Sequence, residues 1–181
     1  MRSILRRREI VADEWRYLGE DGATTADTKE RAAGPPVIVP LAEFRSNLER
    51  WRAYSGPLGV RLSPADRVED LAGDVQRFAL IAAEFPSAGE GRGYTQGRLL
   101  RSRFKFTGEL RAVGAGVKQD LLFIMSRCGF DSFELAPGQK AAEAFKALER
   151  YTVAYQPAEN IASITQQRYS LAADRSGVLT G

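Results

Sequence analysis

The chain has 181 residues, of which 44% are hydrophobic and 27% charged, with a formal net charge of +3 at pH 7. That length suits one domain with a sizeable core, and so small a positive excess does not by itself imply nucleic-acid binding. The lack of histidine and the single cysteine, Cys128, exclude His-based acid/base catalysis, His metal sites, internal disulfides, and cysteine-held zinc or iron–sulfur centres.

In chain order, residues 1–18 read as a short N-terminal hairpin, with extended pieces at 4–5, 10–11 and 15–18 and a turn at Ala12-Asp13-Glu14. The early arginines Arg2, Arg6, Arg7 and Arg8 precede no apolar run, so this is not the pattern of a secretory signal. Residues 19–36, rich in Gly, Thr, Asp and Ala and ending in Gly-Pro-Pro, read as a flexible connector. From Val37 the pattern changes. The run 37–39 predicts a strand, and Leu41, Phe44, Leu48 and Trp51 predict a helix over 41–53. Residues 59–62 are a second strand, 68–75 a short helix weakened by Gly73, and 78–83 (FALIAA) a continuous apolar strand covered on both faces. A helix over about 94–105, a strand at 109–113, a helix over 117–128 ended by Gly129, a strand at 130–135 and a helix over 139–151 follow. Alternating βα units predict an α/β fold with about five mostly parallel strands, either an open three-layer sheet or an incomplete βα barrel. The expected organisation is 1–36 hairpin and connector, 37–157 α/β core, and 158–181 loosely ordered tail. The longest apolar runs, 78–83 and 121–125, are too short to cross a bilayer, and a soluble cytoplasmic protein is expected.

The candidate site lies after the FALIAA strand. Between residues 91 and 127 stand eight basic residues against two acidic ones, Glu109 and Asp120. Gly91, Arg92 and Gly93 form a glycine turn that opens a helix, the usual place for an α/β protein to hold an anion. On that helix Tyr94, Arg98, Arg101 and Lys105 share one stripe. Cations near a helix N-terminus oppose its dipole, and a bound anion reverses that sign. The same stripe also reads as a solvated face whose arginines pair with acids from elsewhere. Glu109 and Arg111 fall on one side of a strand, and charges in a covered strand need partners, with Glu84 a candidate for Arg111. These two read as a structural ion pair or as site residues at a sheet edge. The set Gly91, Arg92, Gly93, Tyr94, Arg98, Arg101, Glu109 and Arg111 is therefore the candidate ligand-binding site, with no catalytic residue assigned and no metal expected.

The turn lacks GxxxxGK[ST], which excludes a Walker-type nucleotide site, and its glycines are only a loose variant of the dinucleotide fingerprint. Cys128 falls on an apolar helix face and reads as a small hydrophobe. Tyr94, Phe104 and Phe106 fall short of a nucleic-acid stacking surface.

The order of motifs carries a resemblance. Gly91-Arg92-Gly93, Leu99-Leu100-Arg101-x-Arg103, Gly108-Glu109-Leu110-Arg111-Ala112 and Arg127-Cys128-Gly129-Phe130-Asp131 resemble the bacterial family of unknown function DUF934, over roughly residues 37–155. Members are often labelled as oxidoreductases involved in sulfite reduction. The resemblance implies a place in sulfur assimilation. With no ligand set for sirohaem or an iron–sulfur cluster, an accessory role beside sulfite reductase or its electron donor is expected. That role would rest on an oxyanion-binding or partner-binding surface. The alternatives are a flavin- or nicotinamide-dependent oxidoreductase and a non-catalytic scaffold docking on the reductase.

Overall fold

The β-branched and aliphatic runs of the sequence assemble into one curled sheet of eight strands in a mixed α/β fold. The computed structural model describes residues 3–6, 9–19, 34–71 and 73–149. In chain order the elements are β1 (Ser3–Arg6), β2 (Glu9–Ala12), β3 (Arg16–Tyr17), β4 (Val37–Pro40), α1 (Leu41–Ser46), α2 (Leu48–Arg52) and β5 (Leu58–Leu62). After two short 3-10 turns come β6 (Leu80–Glu84), α3 (Arg92–Ser102), β7 (Glu109–Val113), α4 (Leu122–Arg127), β8 (Ser132–Phe133) and α5 (Ala141–Glu149).

The spatial order is β2-β1-β8-β7-β6-β5-β4-β3. All pairs from β3 to β8 are parallel, while β1 runs antiparallel to both β2 and β8. The five strands expected from residue 37 onward are all present and parallel, and the N-terminal hairpin is formed by β1 and β2. Its third piece behaves differently from the expectation. Ala12-Asp13-Glu14 does not fold Trp15 back onto β2; β3 pairs with β4 at the far edge of the sheet.

That topology forces curvature. Eight flat strands would hold their edges about 33 Å apart, yet β2 and β3 are joined by three residues that reach at most about 15 Å. The sheet therefore curls until its two edges lie beside each other, an incomplete βα barrel rather than an open layer. Alternation along each strand then sorts side chains into two cores. Val39, Val60, Ile81, Leu110 and Ala112 face outward into the main core beneath the helices. Tyr17, Ile38, Leu80, Ala82 and Val113 face into the curl with Trp15 against them.

The helices differ from the expected spans for local reasons. Asn47, with φ −127°, breaks the predicted 41–53 helix into α1 and α2. The helix expected over 117–128 starts only at Leu122, because residues 114–121 are spent in turns; Gly114 has φ +106° and Gly116 donates its N–H to the Phe85 carbonyl at 2.8 Å. Gly129, at φ +99°, stops α4 as expected. The 68–75 segment forms two 3-10 turns on either side of residue 72. Most of the proposed connector and all of the proposed tail lie outside the described residues.

Candidate functional site

The inward face of the curl carries a charged column. Register places Arg111 level with Ala82 and with Ser132, so all three point to the interior. The Arg111 side chain is fully excluded from solvent. It donates through Nε and Nη2 to Glu109 Oε1 at 3.1 and 2.9 Å, and through Nη1 to Asp13 Oδ1 at 2.9 Å. Ser132 Oγ donates to the same Glu109 oxygen at 2.7 Å, and Arg6 Nη1 lies 3.4 Å from Oε2.

The electrostatics follow from this packing. Burial pushes the Glu109 carboxyl up, but the Arg111 charge, the Ser132 hydroxyl and Arg6 outweigh it and hold it below the usual glutamate value. Burial likewise lowers the Arg111 pKa, and Glu109 and Asp13 reverse that into a net rise. Above this group Tyr17 donates its hydroxyl to Glu134 Oε2 at 2.8 Å, and the Arg61 guanidinium sits 5.7 Å from the Tyr17 ring centre. Burial, then the Glu134 charge, raise the Tyr17 pKa far above its ordinary value, so the phenol stays protonated. The column is thus a chain of linked donors and acceptors that holds these polar groups in place.

The glycine turn and α3 form a separate region at the carboxyl end of β6. Gly91 starts α3 without a side-chain cap. The role of the cap falls to Glu90, whose Oε1 accepts the Arg92 backbone N–H at 3.0 Å while the Arg92 guanidinium grips both carboxylate oxygens at 3.0 and 2.9 Å. Those Arg92 hydrogen bonds hold the Glu90 carboxyl down to about 2. Gly93 serves close packing, since a Cβ there would meet the Phe85 ring at 2.5 Å. Tyr94 packs edge-on against the same ring at 5.1 Å. Arg92 and Arg98 are exposed, as is Arg103 just past the helix.

The eight residues singled out in the sequence therefore fall into three places. Gly91, Arg92, Gly93, Tyr94 and Arg98 stay together on the first two turns of α3. Arg101 leaves the stripe: Nε donates to the Gly129 carbonyl at 3.0 Å, Nη1 to the Phe106 and Gly108 carbonyls at 2.5 and 3.0 Å, and Nη2 to Asp131. It clips the end of α3 to the amino ends of β7 and β8. Glu109 and Arg111 do share a strand face, but inside the curl, and the acids on Arg111 are Glu109 and Asp13 rather than Glu84. Sequence reasoning missed Asp13, Tyr17, Arg61, Ser132 and Glu134. Only Arg61 and Ser132 carried a signal, as polar residues in apolar strand runs.

No helix among the described residues is long and apolar enough to cross a membrane. Nor do the described residues include a cluster of three or more Asp, Glu, Cys or His side chains suited to a metal ion. No curated protein matches the chain. Residues 59–164, more than half of the sequence and including β5 to α5, match the family described as "Bacterial protein of unknown function (DUF934)". The motifs that suggested that family all fall inside the matched span, and the chain belongs to it.

Proposed function

We propose that the protein is a cytoplasmic accessory of sulfite reduction that docks on the reductase or its electron donor through the outward face of α3. The observation that carries this reading is the charge of that face. Arg92 and Arg98 are exposed on a helix whose residues 92–102 include no acid, Arg103 is exposed just past it, and the Arg92 and Arg103 side chains are 64% exposed. Their counter-ions, Glu90 and Glu69, come from outside the helix, and Arg103 meets Glu69 only at 3.4 Å. The long Arg103–Glu69 contact is a weak, salt-screened exposed pair, so an acidic partner or an oxyanion displaces it at small cost. Such a surface steers association and makes it salt-dependent. The place in sulfite reduction rests on what the family resemblance implies. The docking mode rests on the arginines facing solvent instead of converging on backbone N–H groups at Gly91.

The test is a binding measurement between the purified chain and the purified sulfite reductase and electron donor of its own organism, at low and high salt. Association that weakens with salt and is lost in an Arg92→Glu/Arg98→Glu/Arg103→Glu variant is the expected result. Absence of association at low salt removes the docking reading.

A further inference from the structure

A second segment extends the outward face of α3. Val68 and Leu71, at the two ends of the first 3-10 turn, are buried in the main core. Just ahead of that turn, the buried Gln96 of α3 donates through Nε2 to the Ser63 and Asp66 carbonyls at 2.8 and 2.9 Å. These contacts pin the segment against the helix and carry Arg67 and Glu69 to the end of α3, where Arg103 follows the last helical residue.

Two guanidinium groups from separate segments meet one carboxylate there. Arg103 Nη1 lies 3.4 Å from Glu69 Oε1, and Arg67 Nε lies 4.0 Å from Oε2. Among the described residues, Glu69 is the only acid within 4.0 Å of either guanidinium. Charge-assisted N–H···O contacts settle at about 2.7–2.9 Å, so both forks hold this carboxylate at long range. The other acids nearby are taken up more closely. Glu90 is gripped by Arg92 at 3.0 and 2.9 Å, and Asp70, next to Glu69, receives Arg45 at 3.0 Å. The Arg67 and Arg103 side chains are 75% and 64% exposed, and the Phe104 ring centre, 5.6 Å from the Arg103 guanidinium, gives that group a preferred position.

Two positive charges thus share one negative charge, and the group between them shows what the gap accepts. A guanidinium fork suits a carboxylate. Glu69 is tied to its turn, whereas a carboxylate arriving from solvent is free to close on either fork.

We propose that Arg67 and Arg103 receive one aspartate or glutamate side chain of an acidic protein segment, and that Glu69 is the internal carboxylate this side chain displaces. The inference rests on the docking reading and deepens it. It adds Arg67 to the face, names the group received, and makes Glu69 an autoinhibitory contact that lowers the affinity. Glu69 is itself 36% exposed, so once displaced it is solvated.

The probe is a fluorescein-labelled oligoglutamate peptide, titrated by anisotropy into the full chain at low salt. The organism's own sulfite reductase and electron donor are measured in parallel. Glu69→Gln is expected to bind the peptide about threefold or more tighter than the unsubstituted chain. Asp70→Asn removes the same charge one residue away and is expected to change affinity less than about twofold. Arg67→Gln and Arg103→Gln each weaken binding, and the Glu69→Gln gain vanishes when both arginines are replaced. All four positions are on the surface, so the variants fold. Equal gains in Glu69→Gln and Asp70→Asn, or a gain that survives without the two arginines, overturn the inference. So does an unchanged affinity in Glu69→Gln while Arg92→Glu/Arg98→Glu/Arg103→Glu still abolishes binding, a result that leaves the docking reading standing. No binding of peptide, reductase or donor by any variant removes the docking reading and this inference together.

Discussion

Arg111 Nη1 stands 2.9 Å from Asp13 Oδ1, with both side chains wholly removed from solvent. One partner lies in the middle of β7 and the other in the link that carries the chain from one sheet edge to the other, so the pair pins that link to the inner face of the sheet. Removing one member of a buried ion pair strands the other charge and costs about 3–5 kcal/mol. Asp13→Ala is therefore expected to lower stability by that order in urea unfolding. Arg111→Met combined with Asp13→Leu and Glu109→Leu is expected to recover most of it, because Arg111 bonds both carboxylates and replacing all three leaves none of these charges uncompensated.

The glycines of the turn do different jobs. A Cβ on Gly93 would stand 2.5 Å from the Phe85 ring, whereas one on Gly89 would meet nothing within 4 Å. Gly93→Ala is expected to cost about 1–3 kcal/mol through overpacking. Gly89→Ala is expected to be neutral or to stabilise by up to about 1 kcal/mol, by restricting the unfolded chain. Thermal melts of the two single variants separate these outcomes.

Arg101 is a structural clip. Its three nitrogens reach carbonyls and a carboxylate on two separate segments, which a lysine ammonium on a flexible stem cannot reproduce. Arg101→Lys is expected to destabilise by about 2 kcal/mol while leaving association through Arg92, Arg98 and Arg103 unchanged. Chemical denaturation and the salt-dependent binding assay together read out both parts.

The pH dependence follows from Glu109. Its carboxyl is held below its ordinary value in the folded state by Arg111, Ser132 and Arg6 against the opposing effect of burial. A group depressed on folding contributes stability above its unfolded pKa, and that contribution fades as pH falls through the folded value. Stability is expected to drop on acidification below the ordinary glutamate range, and Glu109→Gln to flatten that limb. Glu90, held down to about 2 by Arg92, is expected to titrate near there by carboxyl-resolved NMR and to move up in Arg92→Gln.

Periodicity carried the architecture of the core because β4, β5 and β6 are short, largely aliphatic runs with Gly or Pro close by, and these cues are local. Gly129 as the stop of α4 and Glu109 with Arg111 on one strand face were legible for the same reason. The arginine stripe on α3 was legible only as spacing. Where a guanidinium group ends depends on which carbonyls come within reach, and Arg101 finds those of Gly129 and Gly108 from segments that periodicity treats separately. Asp13 and Tyr17 looked like a turn and a hairpin end because nothing in residues 12–17 announces that the chain there changes neighbours, leaving β1 for β4. That crossing is set by the curl of the whole sheet.

The curl also orders events during synthesis. Leu5 has its ladder partner in Phe133, so the first strand emerges long before the strand that will receive it. At typical elongation rates that wait is roughly ten seconds. Until then the hairpin and the inner face of β7 have no completed enclosure, and closing the ring across most of the chain carries a loop-closure entropy cost. A nascent chain halted before Phe133 leaves Leu5 without its ladder partner and without the burial that β8 gives it.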